Sequence, residues 1–211
     1  MQFARYNNIF PDDSENTFEL LALKELNLDG FPVEGLDILL SNIKMPQLTS
    51  LILVLAEDLD LGDYFDESDC PTFDHLRSIS VFGPKPEDTR YTFRSGTSIS
   101  GLDFLLQYAP DLISISFRRL NNGWSDIIEA LGNSEVNIQD LIVEDCKIER
   151  DELISLLCCG SVATARVAVR DCPKIPLELK SFVEHVRPGF QWESFSSQKH
   201  LEMWKLDLEN E

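Results

Sequence analysis

The amino-acid sequence predicts an α/β fold in which about six strand-and-helix units stack into one elongated domain. The first observation is an apolar pattern, L-x-x-L-x-L, that recurs six times along the chain. Its copies are Leu23-Leu26-Leu28, Leu48-Leu51-Leu53, Leu76-Ile79-Val81, Leu112-Ile115-Phe117, Ile138-Leu141-Val143 and Thr164-Val167-Val169. The second observation is that apolar residues with helical spacing follow several of these copies. Such a unit buries its apolar face only against its neighbours, which predicts a solenoid.

The period of the pattern indicates the kind of solenoid. Successive copies start 25, 28, 36, 26 and 26 residues apart, which brackets the period of roughly 20–29 residues typical of leucine-rich repeats. We therefore expect a right-handed horseshoe over residues 20–190, with a parallel sheet on the concave side, helices on the convex side and about six degenerate repeats. Residues 1–19 are expected to form an N-terminal cap or the end of an upstream segment, and residues 191–211 a C-terminal cap and tail.

Capping residues support the helices between the strands. Ser125 precedes a helical apolar pattern that ends at Gly132, and two acids at 151–152 lie at the positive end of the next helix dipole. The predicted helices cover residues 33–41, 98–108, 125–132, 151–160 and 177–186. Two segments interrupt the period: an acidic one at 57–69 and an insertion at 83–97.

Composition narrows the classes of function. The formal net charge is −19, from 37 acidic and 18 basic residues, and an excess this large repels phosphate backbones. Nucleic acid is therefore not an expected partner, whereas a basic protein is. Apolar runs such as 51–56 fall short of the ~18 residues that a membrane span needs, and the N-terminus has no signal-peptide pattern. We expect no membrane contact, a cytoplasmic or nuclear location, and a chain that is monomeric by itself.

No motif predicts a catalytic centre, a cofactor site or a metal site, so we do not expect an enzyme. In the acidic segment, Asp58-x-Asp60-x-Gly62 resembles a calcium loop. Its glycine is fifth instead of sixth, however, and the twelfth residue is Asp69 instead of glutamate. A solvated acidic loop and a docking site for a basic partner are the other interpretations.

The five cysteines form no C-x-x-C pair and are expected to be reduced thiols. Cys146 and Cys172 each lie eight residues after the first apolar position of their unit, where leucine-rich repeats carry Asn or Cys. Cys158 and Cys159 lie on what the pattern predicts to be the apolar face of a helix, which favours burial. The competing hypothesis is a nucleophilic cysteine with His185 as its base, and it requires an exposed, reactive thiol.

The strands also predict a binding surface, because side chains alternate along a strand and the residues between the inward positions share the opposite face. These residues form three columns across the units. The columns are Glu25, Ser50, Ser78, Ser114, Asp140 and Arg166; Asn27, Ile52, Ser80, Ser116, Ile142 and Ala168; and Asp29, Val54, Phe82, Arg118, Glu144 and Arg170. The residues predicted to contact a partner are Arg118, Arg166, Arg170, Phe82, Ser80, Ser114, Ser116, Asp140 and Glu144.

Two interpretations of the arginines are open. Arginine pairs with carboxylate or phosphate in a forked geometry and is a frequent interface anchor, so Arg118, Arg166 and Arg170 are candidates for contact with a partner. Alternatively, they pair within the sheet with Asp140 and Glu144, each pair contributing about 0.2–1 kcal/mol. The serines would let a partner backbone approach closely, and the phenylalanine of the third column is expected to be exposed beside the insertion.

Two segments with a cysteine, 138–148 and 164–175, resemble the cysteine-containing, ribonuclease-inhibitor-like class of leucine-rich repeats that is typical of F-box proteins. Met-Pro-Gln-Leu at 45–48 and Ala-Pro-Asp-Leu at 109–112, which lead into strands, look like the degenerate repeats of fungal F-box-like proteins. Residues 1–19 contain nothing like an F-box. The chain is therefore expected to be either the C-terminal portion of a longer protein or a free-standing repeat domain.

The resemblance implies a recognition module. It would capture substrate proteins for a cullin-type ubiquitin ligase through the concave face and the 83–97 insertion, without making or breaking a bond. The alternative is a free-standing leucine-rich-repeat scaffold or inhibitor that binds a basic protein partner and has no ubiquitin link.

Overall fold

The computed structural model describes residues 18–30, 39, 43–55, 59–60, 73–84, 99–175, 179, 183 and 191–192. Its strands are β1 (Phe18–Glu19), β2 (Glu25–Asp29), β3 (Ile43–Lys44), β4 (Ser50–Val54), β5 (Leu59–Asp60), β6 (Ser78–Phe82), β7 (Ile99–Ser100), β8 (Ser114–Arg118), β9 (Asp140–Glu144), β10 (Arg166–Arg170) and β11 (Gln191–Trp192). Its helices are α1 (Leu102–Gln107), α2 (Trp124–Asn133) and α3 (Arg150–Cys158), followed by a 3-10 helix at Gly160–Val162. Leu39, Leu179 and Val183 also have helical backbones.

The long strands form one parallel sheet in the order β2-β4-β6-β8-β9-β10-β11. The five-residue strands begin at 25, 50, 78, 114, 140 and 166, two residues after the start of each apolar pattern, which confirms the predicted strands. Two small parallel pairs, β1 with β3 and β5 with β7, lie outside this sheet. The fold is therefore α/β with a parallel sheet.

One face of the sheet packs into the core. The second and fourth residues of each five-residue strand are buried, as the apolar pattern predicts. Helix residues such as Leu105, Ile127 and Leu153 belong to the same core. Phe117 is fully buried and meets the Trp124 ring edge to face, with 5.6 Å between the ring centroids. Each fully buried side chain of this size contributes about 1.5–3 kcal/mol through its removal from water, so this face supplies much of the stability.

Several strands end in the same left-handed backbone conformation. Gly30, Arg119, Asp145 and Asp171 each follow the last residue of a strand and have φ values of 61°, 58°, 53° and 50°. Aspartate is enriched in this conformation, whereas a long side chain such as Arg119 adopts it less often. A second constraint lies beside it, because a Cβ atom on Gly83 would come within 2.2 Å of the Arg119 carbonyl oxygen. A glycine is therefore required where the insertion leaves β6.

The structure differs from the sequence prediction at several points outside the sheet face. Ser125 and Gly132, predicted to cap a helix at its two ends, both lie inside α2, which Gly123 and Ser134 cap instead. Thr164, the first position of the sixth copy of the pattern, is exposed, with its hydroxyl 3.2 Å from Asn137 Oδ1, and Ala165 is buried instead. The helix predicted at 98–108 is shorter, because Ser100 lies in β7 and Gly101 precedes the helix with a left-handed φ of 69°. Cys158, predicted to be buried, is exposed, because it ends α3 on the side away from the core.

Several predictions fall largely outside the described residues. The list comprises the two caps at 1–19 and 191–211, the acidic segment 57–69, the insertion 83–97, and the helices predicted at 33–41 and 177–186. Of the described helices, none has both the length and the apolar character needed to cross a membrane.

Candidate functional site

The candidate surface is the face of the sheet that points away from the core, which we call the open face. It consists of the first, third and fifth residues of the six five-residue strands. The strand register aligns these residues in the three predicted columns, from β2 to β10. Their side chains are half-buried on β4, β6, β8 and β9 and exposed on β2. A partner that lies on this face would contact all three columns at once.

The centre of the open face is lined by small hydroxyl side chains. Ser80 and Ser116 are register partners in the middle column, and Ser114 lies beside them in the first column. Ile52 and Ile142 flank the two serines in the same column. Because neighbouring strands lie about 4.8 Å apart, the two isoleucines lie roughly 14 Å apart with the two serines between them. This row combines apolar side chains with hydroxyl groups that can donate and accept hydrogen bonds.

The charged residues on the C-terminal half of the open face pair with one another. Arg118 Nη2 lies 2.7 Å from Glu144 Oε2, and Arg166 Nη2 lies 2.7 Å from Asp140 Oδ1. Arg170 Nη1 lies 3.8 Å from the same Glu144 oxygen. All three arginines therefore have the cross-strand carboxylate partners that one of the two sequence interpretations expects. A partner carboxylate would compete with these pairs instead of meeting free guanidinium groups.

Phe82, predicted to be exposed, is half-buried beneath two guanidinium groups. The guanidinium carbons of Arg118 and Arg119 lie 5.2 Å and 5.9 Å from the centroid of its ring, within the range of cation–π attraction. Arg119 Nε also donates a hydrogen bond of 3.1 Å to the carbonyl oxygen of Gly83. Burial, and then the neighbouring charge of Arg118, lower the pKa of the Arg119 guanidinium from its ordinary value. Arg119 was not among the residues predicted to contact a partner; its position directly after Arg118 at the end of a strand was the available signal.

The N-terminal end of the open face has a different character. Glu25, Asn27 and Asp29 on β2 are exposed. In the described part of the chain, neither carboxylate has a cation within ion-pairing distance, whereas both carboxylates on β9 do. The carboxylates of the open face are therefore exposed at the β2 end of the sheet, whereas those on β9 are paired with arginines.

The cysteines of the described chain are free thiols in two environments. Cys146 is buried with its Sγ 3.2 Å from the Glu144 carbonyl oxygen, and burial raises the pKa of its thiol to about 12. Burial likewise raises the pKa of Cys172 to about 11. Cys159 is buried and donates to the Ser155 carbonyl oxygen at 3.5 Å, with its pKa raised by burial and then by Cys158. High pKa values disfavour the thiolate, so these three thiols are poor nucleophiles.

Cys158 is the exposed thiol among the described cysteines. The base suggested for it by the sequence, His185, lies outside the described residues. Across residues whose placement is described, no three His, Cys, Asp or Glu side chains converge as metal ligands would. Comparison with models of known protein families and with curated protein sequences finds no match to this chain.

Proposed function

We propose that the chain is a leucine-rich-repeat solenoid that recognises a protein partner on its sheet. In this proposal the sheet bends into a right-handed horseshoe and the open face is its concave side. The observation that carries the proposal is the in-register alignment of three columns of half-exposed side chains over six parallel strands. A rigid sheet presents such side chains in fixed positions, so a partner orders few groups when it binds.

The composition of the open face suits a protein surface. Ile52 and Ile142 offer apolar contact on either side of the central serines, whose short side chains lose little conformational entropy in an interface. Phe82 is held in place by the guanidinium groups stacked on it. The ion pairs around Phe82 would determine the orientation of a bound partner more than they raise its affinity, because each charge already has a partner within the chain.

The resemblance to cysteine-containing repeats favours an F-box-type ubiquitin ligase adaptor, in which the open face would hold the substrate protein. Cys146 supports this assignment, since it is buried and its thiol contacts the backbone of β8 and β9 as a repeat position would. The chain would then act by holding the substrate and would perform no chemistry itself.

A second candidate function is favoured by the exposed acids of β2. A free-standing scaffold or inhibitor that masks a basic protein would use the net charge of −19 to speed encounter and Glu25 and Asp29 as contacts. This function requires no ubiquitin ligase.

Site-directed crosslinking in cells tests the recognition proposal. A photo-reactive residue is placed at Ser80 on the open face or at Glu129 on the exposed side of α2. We expect a partner to be crosslinked from position 80 and not from position 129. Ser116→Trp, which places a large side chain in the centre of the open face, should reduce that crosslink at least about tenfold, and Ser155→Trp on α3 should leave it unchanged.

Equal crosslinking from positions 80 and 129, or an undiminished crosslink in the Ser116→Trp variant, would refute recognition by the open face. Recovery of the linker protein and cullin with the wild-type chain would favour the ligase adaptor. Recovery of a basic protein alone, lost at higher salt, would favour the scaffold or inhibitor.

A further inference from the structure

β2 is the last strand at one side of the sheet, and its outer edge is unpaired within the described part of the chain. The Lys24 carbonyl oxygen accepts a hydrogen bond from Ser50, and the Gly30 N–H donates to the Val54 carbonyl oxygen, so both groups point to β4. Backbone groups alternate in direction along a strand. Glu25 and Asp29, together with Asn27 between them, therefore direct their N–H and C=O groups to the outer edge of β2.

An edge of this kind is a template for the addition of another strand. The side chains of the same residues then define what that strand must carry. On the open face, β2 has an acid at its first and fifth positions, as β9 does with Asp140 and Glu144. The strands on either side of β9 place arginines opposite these acids. Arg166 lies opposite Asp140, and both Arg118 and Arg170 lie opposite Glu144.

The Arg118–Glu144 pair is the closest template for β2. Its arginine belongs to the strand that precedes the acidic strand in the sheet, and the two residues are register partners 2.7 Å apart at their charged atoms. A strand added to the edge of β2 would precede it in the same way. An arginine or lysine in its fifth position would then lie opposite Asp29, and one in its first position opposite Glu25.

Two exposed leucines precede this strand in the chain. Leu20 and Leu21 are 43 % and 62 % exposed and lie in the turn that leads into β2. Leu26 and Leu28, by contrast, are buried and mark where the core reaches the last strand. An added strand with apolar second and fourth residues would extend that core.

We infer that the outer edge of β2 binds an extended segment of a partner protein, parallel to β2, with the pattern basic–apolar–small–apolar–basic. β10, Arg-Val-Ala-Val-Arg, has this pattern and already pairs with an acidic strand of the same chain. A second copy of this chain does not meet the requirement through its own β2, because edge-to-edge contact would bring four carboxylates together. The inference concerns the edge and does not depend on recognition by the open face.

The test uses a capped fluorescent peptide, Gly-Arg-Val-Ala-Val-Arg-Gly, and the full chain. We expect saturable binding that weakens about tenfold or more in the variant Glu25→Lys/Asp29→Lys, because two attractions become repulsions. The matched control, Asp111→Lys/Glu129→Lys, makes the same change of net charge at two exposed acids away from β2 and should bind as the wild type does. A peptide with glutamates in place of both arginines should bind the β2 variant and not the wild type.

Methylation of peptide nitrogens tests the edge itself. Ile113 and Arg119, on either side of β8, form backbone hydrogen bonds with β9, the next strand. Because backbone groups alternate in direction, the inward residues between them, Ile115 and Phe117, face β9 as well, and the inward residues of an added strand would face β2. Methylation of both valine nitrogens should therefore abolish binding, and methylation of the alanine nitrogen should not. Absence of saturable binding, equal binding to both lysine variants, or loss on alanine methylation instead would each overturn the inference of a parallel added strand.

Discussion

β2 and β9 carry the same acidic pattern on the open face, an acid at the first and fifth positions, yet the two strands differ in what surrounds them. The carboxylates of β9 lie between β8 and β10 and accept three arginine side chains. Those of β2, Glu25 and Asp29, lie on the last strand of the sheet and are exposed. The same acidic pattern is therefore paired with arginines on β9 and exposed to solvent on β2.

The comparison shows that the role of a charged residue on a sheet is decided by the neighbouring strands. Around Glu144 the ion pairs stabilise the fold modestly, by a few tenths to about 1 kcal/mol each, because the groups are partly exposed. Among the described residues Glu25 has no ion pair, so its charge is available to attract groups that approach from solution. Substitutions should therefore affect stability at the β8–β10 end and binding at the β2 end.

Substitutions in the core should give the largest difference in the free energy of unfolding between the β8–β10 end and the β2 end of the sheet. Phe117→Ala in β8 is expected to lower the free energy of unfolding by about 3–5 kcal/mol, because a fully buried ring that packs on Trp124 leaves a cavity. Leu28→Ala in β2 is expected to cost about 2 kcal/mol, since the side chain is smaller and is 5 % exposed. Urea unfolding followed by circular dichroism measures both. Equal losses would show that β2 is as enclosed as β8.

A substitution where the ends of β6 and β8 meet should give the next largest change in the free energy of unfolding. Gly83→Ala places a Cβ atom 2.2 Å from the Arg119 carbonyl oxygen, so the backbone must move, at an expected cost of about 1–3 kcal/mol. Gly132→Ala is the matched control, because its Cβ meets nothing within 4 Å and α2 gains helix propensity. We expect that variant to be more stable by about 0.5–1 kcal/mol. Similar unfolding midpoints for the two variants would contradict the close contact.

The strands and the columns of the open face could be predicted from the sequence because both depend on local periodicity. Alternation within five residues determines which side chains face inward, and the six copies of the apolar pattern place each strand start. Ser80 and Ser116 could thus be assigned to one column before any pairing was known, and the register confirms it.

Other features depend on contacts between units and were beyond local patterns. The sequence left open whether Arg118 pairs with Glu144 or contacts a partner. That choice, and the position of Arg118 over Phe82, depend on the reach and direction of long side chains from three strands. The exposure predicted for that phenylalanine was wrong for this reason. The left-handed Arg119 and the glycine pressed against it are likewise set by how two strand ends meet. Whether the open face binds a partner stays a prediction.

Removing the acids of β9 and of β2 has the smallest expected effect on the free energy of unfolding, but it compares the two strands most directly. Glu144→Gln is expected to lower the free energy of unfolding by about 1–2 kcal/mol, because it removes the carboxylate shared by two arginines, and the buried Nε of Arg118 already lacks an acceptor among the described residues. Glu25→Gln/Asp29→Asn should change it by less than about 0.5 kcal/mol.

A double-mutant cycle isolates the coupling on the paired side. Arg118→Met removes one guanidinium but keeps an apolar chain over Phe82, so Glu144→Gln should cost less in that background than in the wild type. A cost that is unchanged by Arg118→Met would mean that the observed pair contributes nothing to stability. The acids of β9 would then contribute no more to stability than those of β2. The two strands would differ only in how their carboxylates are placed.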